Sequence, residues 1–194
     1  MPRVTESDSR LVRLTDWYVK RSYGRSMQTT SVIGNSAWNL LGWGAFEFGH
    51  ERAHKMDQRA KLLAETKVAT TVGCQFCIDI GSALGRKAGV TEEQLRDFHN
   101  YRDSDAFSEL EKLAMEYAEA MSQTSVDVPE EMVARLRERL DDEEIVELTA
   151  AIAIENFRAR FNNALDVAPA GFSEGLYCPL PERQAAVAAG NGSP

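Results

Sequence analysis

Long apolar runs are missing from this chain. No stretch approaches the roughly 20 consecutive apolar residues that cross a bilayer, and Met1 to Arg10 carry polar and charged groups where a secretory leader has an apolar segment. Basic charge is also short. The 194 residues hold 22 Lys and Arg against 30 Asp and Glu, a formal charge of −8, and a protein without a basic face has little general affinity for phosphate backbones or anionic lipid. The expectation is a cytoplasmic protein with neither nucleic acid nor membrane as partner. Cysteine is scarce and odd in number: three residues, two of them three positions apart, which is not a framework that ties distant loops of a secreted domain together. No strand or hairpin signal stands out either.

What is present is helical period. Leu11, Leu14, Trp17 and Tyr18 predict a helix over about 6–21, closed by Ser22-Tyr23-Gly24. A second apolar segment runs from about Ser31 to Gly49 through Trp38, Leu40, Leu41, Trp43, Phe46 and Phe48. Its glycines, Gly34, Gly42, Gly44 and Gly49, weaken an unbroken helix, and close helix packing is the expected reason for them. The four aromatic residues are expected in the core or a subunit interface. Asp57 to about Val72 is rich in helix formers and ends at Gly73; a new helix should open at Cys74 and stop near Gly89. Thr91-Glu92-Glu93-Gln94 is a capping box. Leu110, Leu113, Ala114, Tyr117, Ala118 and Met121 form one buried stripe. Pro129 starts a short helix, and Asp141 to Glu144 an acidic entry into a long one reaching Leu165. The chain therefore reads as all-α, with an N-terminal helical extension over 1–29, a helical domain over 30–167 and a tail over 168–194, whose last ten residues, Ala185 to Pro194, should be mobile or packed on a neighbouring subunit.

Cys74-Gln75-Phe76-Cys77 carries the chemistry. Two cysteines three apart on a helix have Cα atoms about 5 Å apart, within the span of a disulfide. So small a loop gains little chain-entropy stabilisation, which favours reversible redox chemistry over stapling. The start of a helix presents unpaired N–H groups that favour the thiolate, and a thiolate that opens a peroxide becomes a sulfenic acid that a second thiol condenses to a disulfide. Half of a four-ligand zinc site, or two small buried residues, are the competing readings of the spacing. Zinc would need two further ligands from Cys178, His50, His54 and His99, which form no second close pair; the expectation is no metal and no cofactor.

Residues Asp57 to Glu65, leading into Gly73-Cys74-Gln75-Phe76-Cys77-Ile78-Asp79-Ile80-Gly81-Ser82, resemble the core motif of the alkylhydroperoxidase D and carboxymuconolactone decarboxylase superfamily. Glu147 to Leu165, with Ile154-Glu155-Asn156-Phe157 and Arg160-Phe161-Asn162, is similar to its following helix, so the resemblance spans roughly 30–167. It implies an all-helical subunit that assembles into a homo-oligomer. In the peroxidase branch it implies Cys77 as the attacking and Cys74 as the resolving thiol, a small hydroperoxide as substrate and an external thiol or dithiol as reductant. The chain departs from that pattern twice: the relay glutamate would fall at Leu62 and the relay histidine at Gly81.

Glu65, one turn nearer the cysteines, is a candidate to replace the carboxylate; an exposed residue paired with Lys61 is the alternative. His50, His54, Asp79 and Glu155 are candidate bases, with His54 and His99 read as solvated and His50 as the one to test. Cys178 receives no role. The function expected is a thiol-dependent peroxidase or disulfide reductase. The alternatives are a non-redox decarboxylase-like enzyme, or a redox-sensing binding module with little turnover.

Overall fold

The computed structural model describes residues 2–179, 181 and 182; the expectation for Ala185 to Pro194 lies outside them. Among the described residues the chain is α-helical with no strand. Helices α1 (Arg10–Tyr23), α2 (Gln28–Ile33) and α3 (Ala37–His50) are followed by α4 (Gln58–Val72), α5 (Gln75–Lys87) and α6 (Glu92–Arg96). A short 3-10 turn, Phe98–Asn100, leads to α7 (Glu109–Ser122), α8 (Glu130–Arg137) and α9 (Asp142–Leu165).

Local chemistry sets these boundaries. Ser9 accepts from Val12 N at the start of α1, and Gly24, at φ 82°, closes it in the left-handed conformation that glycine adopts without a Cβ clash. Asp57 accepts from Ala60 N at 2.8 Å to start α4. Capping boxes open α6 at Thr91, α7 at Ser108 and α9 at Asp141, each pairing the cap side chain with the third helical residue in both directions. The core lies where α4, α7 and α9 meet, over Met56, Ala64, Val68, Leu113, Ala118, Leu148 and Ile152. The expected stripe of α7 faces into it, with Leu113, Ala114, Tyr117 and Ala118 buried.

The segment expected as one helix over about 31–49 is two. The chain turns at Gly34-Asn35-Ser36, where a Cβ on Gly34 would stand 2.1 Å from Val12 Cγ2 and 2.9 Å from the Thr30 carbonyl. Close approach explains Gly34 but not Gly42, Gly44 or Gly49, around which an added Cβ would meet nothing within 4 Å. The aromatic residues of α3 are likewise not core: Trp38 is 84% exposed, and Phe46 and Phe48 are more than half exposed. Trp43 alone turns inward, edge-on to Phe161 and tilted against Phe157. Helices α1, α2 and α3 pack on one another through a small cluster of Val12, Ile33 and Leu40, which Phe161 of α9 joins to the bundle.

Candidate functional site

Helix α4 ends at Gly73, whose φ of 81° reverses the chain and delivers Cys74 as the N-cap of α5. Cys74 Sγ takes the place a serine oxygen would have and accepts from Cys77 N at 3.2 Å. Cys77 is therefore the third residue of the helix, and its Cα lies 5.3 Å from that of Cys74; the two sulfurs are bonded as a disulfide. Both cysteines are buried, Cys74 almost completely. Cys77, unlike Cys74, borders a cavity of about 790 Å³ between the α1–α3 layer and the bundle. Its walls are largely apolar, from Tyr18, Ile33, Leu40, Trp43, Ile80 and Leu84.

One side of this cavity is charged, and residues from three helices meet there. His50, the last residue of α3, donates from Nε2 to Glu65 Oε1 of α4 at 2.9 Å. Arg158 of α9 donates to the same Glu65 oxygen at 3.2 Å, to Glu155 Oε2 at 3.0 Å and from Nε to Glu47 Oε1 at 2.8 Å. One guanidinium thus holds three carboxylates, which its fixed fork of five donors permits. Burial alone pushes the Glu65 carboxyl up, but the hydrogen bond from His50 and the charge of Arg158 outweigh it and hold its pKa down. Burial also acts on Glu47, and Arg158 again turns the net direction downward. Glu155 goes the other way. Burial, with the charges of Glu65 and Glu47 against it, raises its pKa to about 8 despite Arg158. Its Oε1 has no hydrogen-bond partner among the described residues.

Glu65, Cys77, His50 and Glu155 all line this one cavity. Glu65 is 7% exposed, not on a solvated face, and Lys61 donates instead to the Ala53 carbonyl at 2.6 Å. Leu62 and Gly81, where the family's relay pair would stand, line the same cavity without polar side chains. A Cβ at Gly81 would meet Thr66 Oγ1 at 3.1 Å. His54 and His99 are exposed. Asp79 is absent from the cavity: it faces the tail and accepts from the backbone N–H groups of Ala170, Phe172 and Ser173 and from the Ser173 hydroxyl. Burial raises its pKa, but those donors, Ser173 first, bring it below the usual carboxylate range. Cys178 donates to Ser173 Oγ at 2.9 Å and packs against the cluster that holds Cys74 and Ile78. No group of three or more His, Cys, Asp and Glu among the described residues is arranged to hold a metal ion.

Sequence reasoning passed over Arg158, Glu47 and Asn162. The signal for two of them was there: Ala151, Glu155, Arg158 and Asn162 follow i, i+4, i+7, i+11, a polar interruption of a face that must be buried in a helix this long.

The carboxymuconolactone decarboxylase family model matches residues 35–120, which take in α3 to α6, most of α7 and the cysteine pair. An uncharacterized Escherichia coli (strain K12) protein, YnjA, is 30% identical over 175 residues, covering 90% of this chain and 93% of that one. The chain belongs to the carboxymuconolactone decarboxylase family. Solved structures share its fold at low identity. A peroxidase-related protein from Silicibacter sp. TM1040 superposes with a TM-score of 0.79 at 14% identity, covering 91% of this chain and 95% of that one. The debrominase Bmp8 superposes with a TM-score of 0.76 at 19% identity, covering 88% and 92%. For a member of this carboxymuconolactone decarboxylase family the matched span ends before α9, so Glu155, Arg158 and Asn162 stand outside it.

Proposed function

We propose that the chain is a thiol-dependent peroxidase that cycles Cys74 and Cys77 between dithiol and disulfide. The observation that carries this reading is the meeting of one sulfur of a bonded pair with a His50–Glu65 hydrogen bond on the wall of one cavity. The Cys77 thiolate attacks one oxygen of a hydroperoxide; the O–O bond breaks, Cys77 becomes a sulfenic acid, and the departing alkoxide takes a proton. His50, hydrogen-bonded to Glu65, is the donor that replaces the histidine missing at Gly81, and Glu65 fills the place of the carboxylate missing at Leu62. The Cys74 thiol then displaces hydroxide from Cys77, which leaves as water with one proton, and the disulfide forms. An external dithiol returns two electrons and two protons by exchange.

The dimensions of the cavity extend the substrate beyond a small peroxide. About 790 Å³ behind apolar walls accommodates a drug-sized molecule, so the preferred substrate is an organic hydroperoxide with a bulky apolar body. Replacing Cys77 by serine and following hydroperoxide consumption with a dithiol donor tests the reading: loss of turnover is expected, and unchanged turnover rules it out. A non-redox decarboxylase would have no use for the disulfide, and a redox sensor would oxidise once without turning over, so a steady-state assay separates all three.

The same reading places the protein in the cytoplasm, where dithiol donors are kept reduced; none of its described helices is long and apolar enough to cross a membrane. It also has the chain working as a homo-oligomer. Support comes from Trp38 and Phe46 of α3 and Phe157 of α9, which together with Trp43 and Phe161 border a second apolar hollow.

A further inference from the structure

Asn162 is 2% exposed and lies on α9 between α2 and α5. A buried primary amide must place an acceptor and two N–H donors without water. The Thr29 hydroxyl of α2 donates to Asn162 Oδ1 at 2.8 Å. That bond leaves Nδ2 directed the other way, and it donates to Cys77 Sγ at 3.7 Å. Thr29 and Asn162 both border the cavity, on the side of the reacting sulfur. A divalent sulfur is a weak acceptor, so an amide held against it gains little while the disulfide is closed. Once the disulfide is opened the same N–H meets a thiolate, and a hydrogen bond to an ionised acceptor is roughly twice as strong.

We propose that Asn162, oriented by Thr29, is a catalytic residue that stabilises the Cys77 thiolate and thereby makes Cys77 the attacking sulfur. The inference rests on the thiol-redox reading of the pair, but its measurement needs no peroxide. The two thiols divide the available donors. Cys74 sits at the N-cap and engages the Cys77 backbone N–H, whereas Cys77 receives a side-chain donor from another helix. Opening the disulfide with an external dithiol reduces both sulfurs; the Cys77 proton then leaves to solvent or to the cavity bases, and the electron pair stays on a sulfur already facing N–H. Glu65 and Glu47 bring negative charge to the cavity, Arg158 and Lys61 bring positive charge, and His50 and Glu155 line it beside them. The amide contributes a donor without altering that balance.

The experiment titrates Cys77 in the full chain carrying Cys74→Ser and Cys178→Ser, by thiolate ultraviolet absorbance and by the pH dependence of alkylation with iodoacetamide. In this parent the thiol is expected to ionise below the ordinary thiol range of about 8.5. Asn162→Leu is expected to raise its pKa by about one unit, a roughly tenfold loss of thiolate at a pH below both values. Thr29→Val keeps the volume and removes the orienting hydroxyl; a smaller shift in the same direction is expected. Asn162→Asp, which sets a carboxylate beside the sulfur, should shift it furthest. An unshifted titration in Asn162→Leu with an intact helical spectrum overturns the proposal. Should that variant fail to fold, Thr29→Val decides: no shift overturns the assignment, and a rise supports it. A normal shift together with no hydroperoxide turnover in the wild-type chain would instead sink the peroxidase reading and leave the amide's role standing.

Discussion

Helices α4, α7 and α9 meet over aliphatic side chains such as Leu113, Leu148 and Ile152, while α3 meets α4 and α9 across ion pairs from Glu47 and His50 to Arg158 and Glu65. The first contact is held by apolar burial, worth about 25 cal/mol per Å² and indifferent to pH. The second depends on which of its groups are charged. The cap chemistry does not follow this division: side chains cap α1 in the outer layer as well as α4, α6, α7 and α9, whereas α2, α3 and α8 begin without a side-chain cap bond. The cavity lies along this seam. Helix α5, which carries the cysteines, packs on α4 and α9, and α3 brings Glu47 and His50 to the cavity from the other side.

The largest break in that comparison should come from Arg158→Met. It leaves Glu47, Glu65 and Glu155 without their shared cation, and breaking a buried pair by removing one partner costs about 3–5 kcal/mol. The loss is expected at neutral pH in urea unfolding and should shrink as the medium is acidified, because protonation relieves the stranded carboxylates. Ile152→Ala, in the aliphatic half, is the control: a loss of about 2–5 kcal/mol with little change across the same pH range. Equal pH dependence in both variants would show that the two halves are not held differently.

A finer test is Glu155→Gln. The Glu155 pKa is about 8 in the folded chain, against 4.5 for a free glutamate. The native state therefore keeps a proton that the unfolded state has released. The stabilisation this group gives is complete below about 4.5 and is lost as pH rises toward 8. Glu65 and Glu47 are shifted down, so their contribution is present above the free-glutamate value and is lost on the acid side. Glutamine at 155 keeps the neutral shape without the titration. The decline in stability between pH 5 and 8 should flatten in the variant, leaving it more stable than wild type at pH 8; an unchanged slope would mean that Glu155 is ionised in the native state.

The aliphatic half was legible in the sequence because its signals are local. The stripe from Leu110 to Met121, the capping box at Thr91 and the bend at Gly73 are each written within a dozen residues, and a period or a cap needs no knowledge of the rest of the chain. Glu65 could be singled out from helix geometry, one turn beyond Leu62, and His50 from its place at the end of the aromatic segment. What brings the two together was not legible. Arg158 is 111 residues from Glu47 and 93 from Glu65 in sequence, and pairing at that distance is fixed by how helices cross. The break at Gly34 depends on Val12 of another helix. Asp79 read as a candidate base because nothing local reveals that the tail will fold back and surround it with N–H donors.

The smallest expected effect on the chain's own fold concerns the aromatic strip, where the α3 pattern misleads if every aromatic is assigned to the core. Trp38 and Phe46 are largely exposed in the single chain. Replacing both by serine should therefore cost the isolated subunit little, about 0.5 kcal/mol or less per site for exposed positions. If a second copy covers this strip, the same change removes an apolar interface, and the assembly should fall to a smaller mass by light scattering. Its melting temperature should then become dependent on protein concentration, since association that favours the folded state stabilises by mass action. A double variant that keeps both the wild-type mass and its melting curve would place the subunit contact elsewhere. The exposed face of α3 would then be a feature of the charged half alone, maintained by Glu47 and His50 on its inner side with no partner on its outer side.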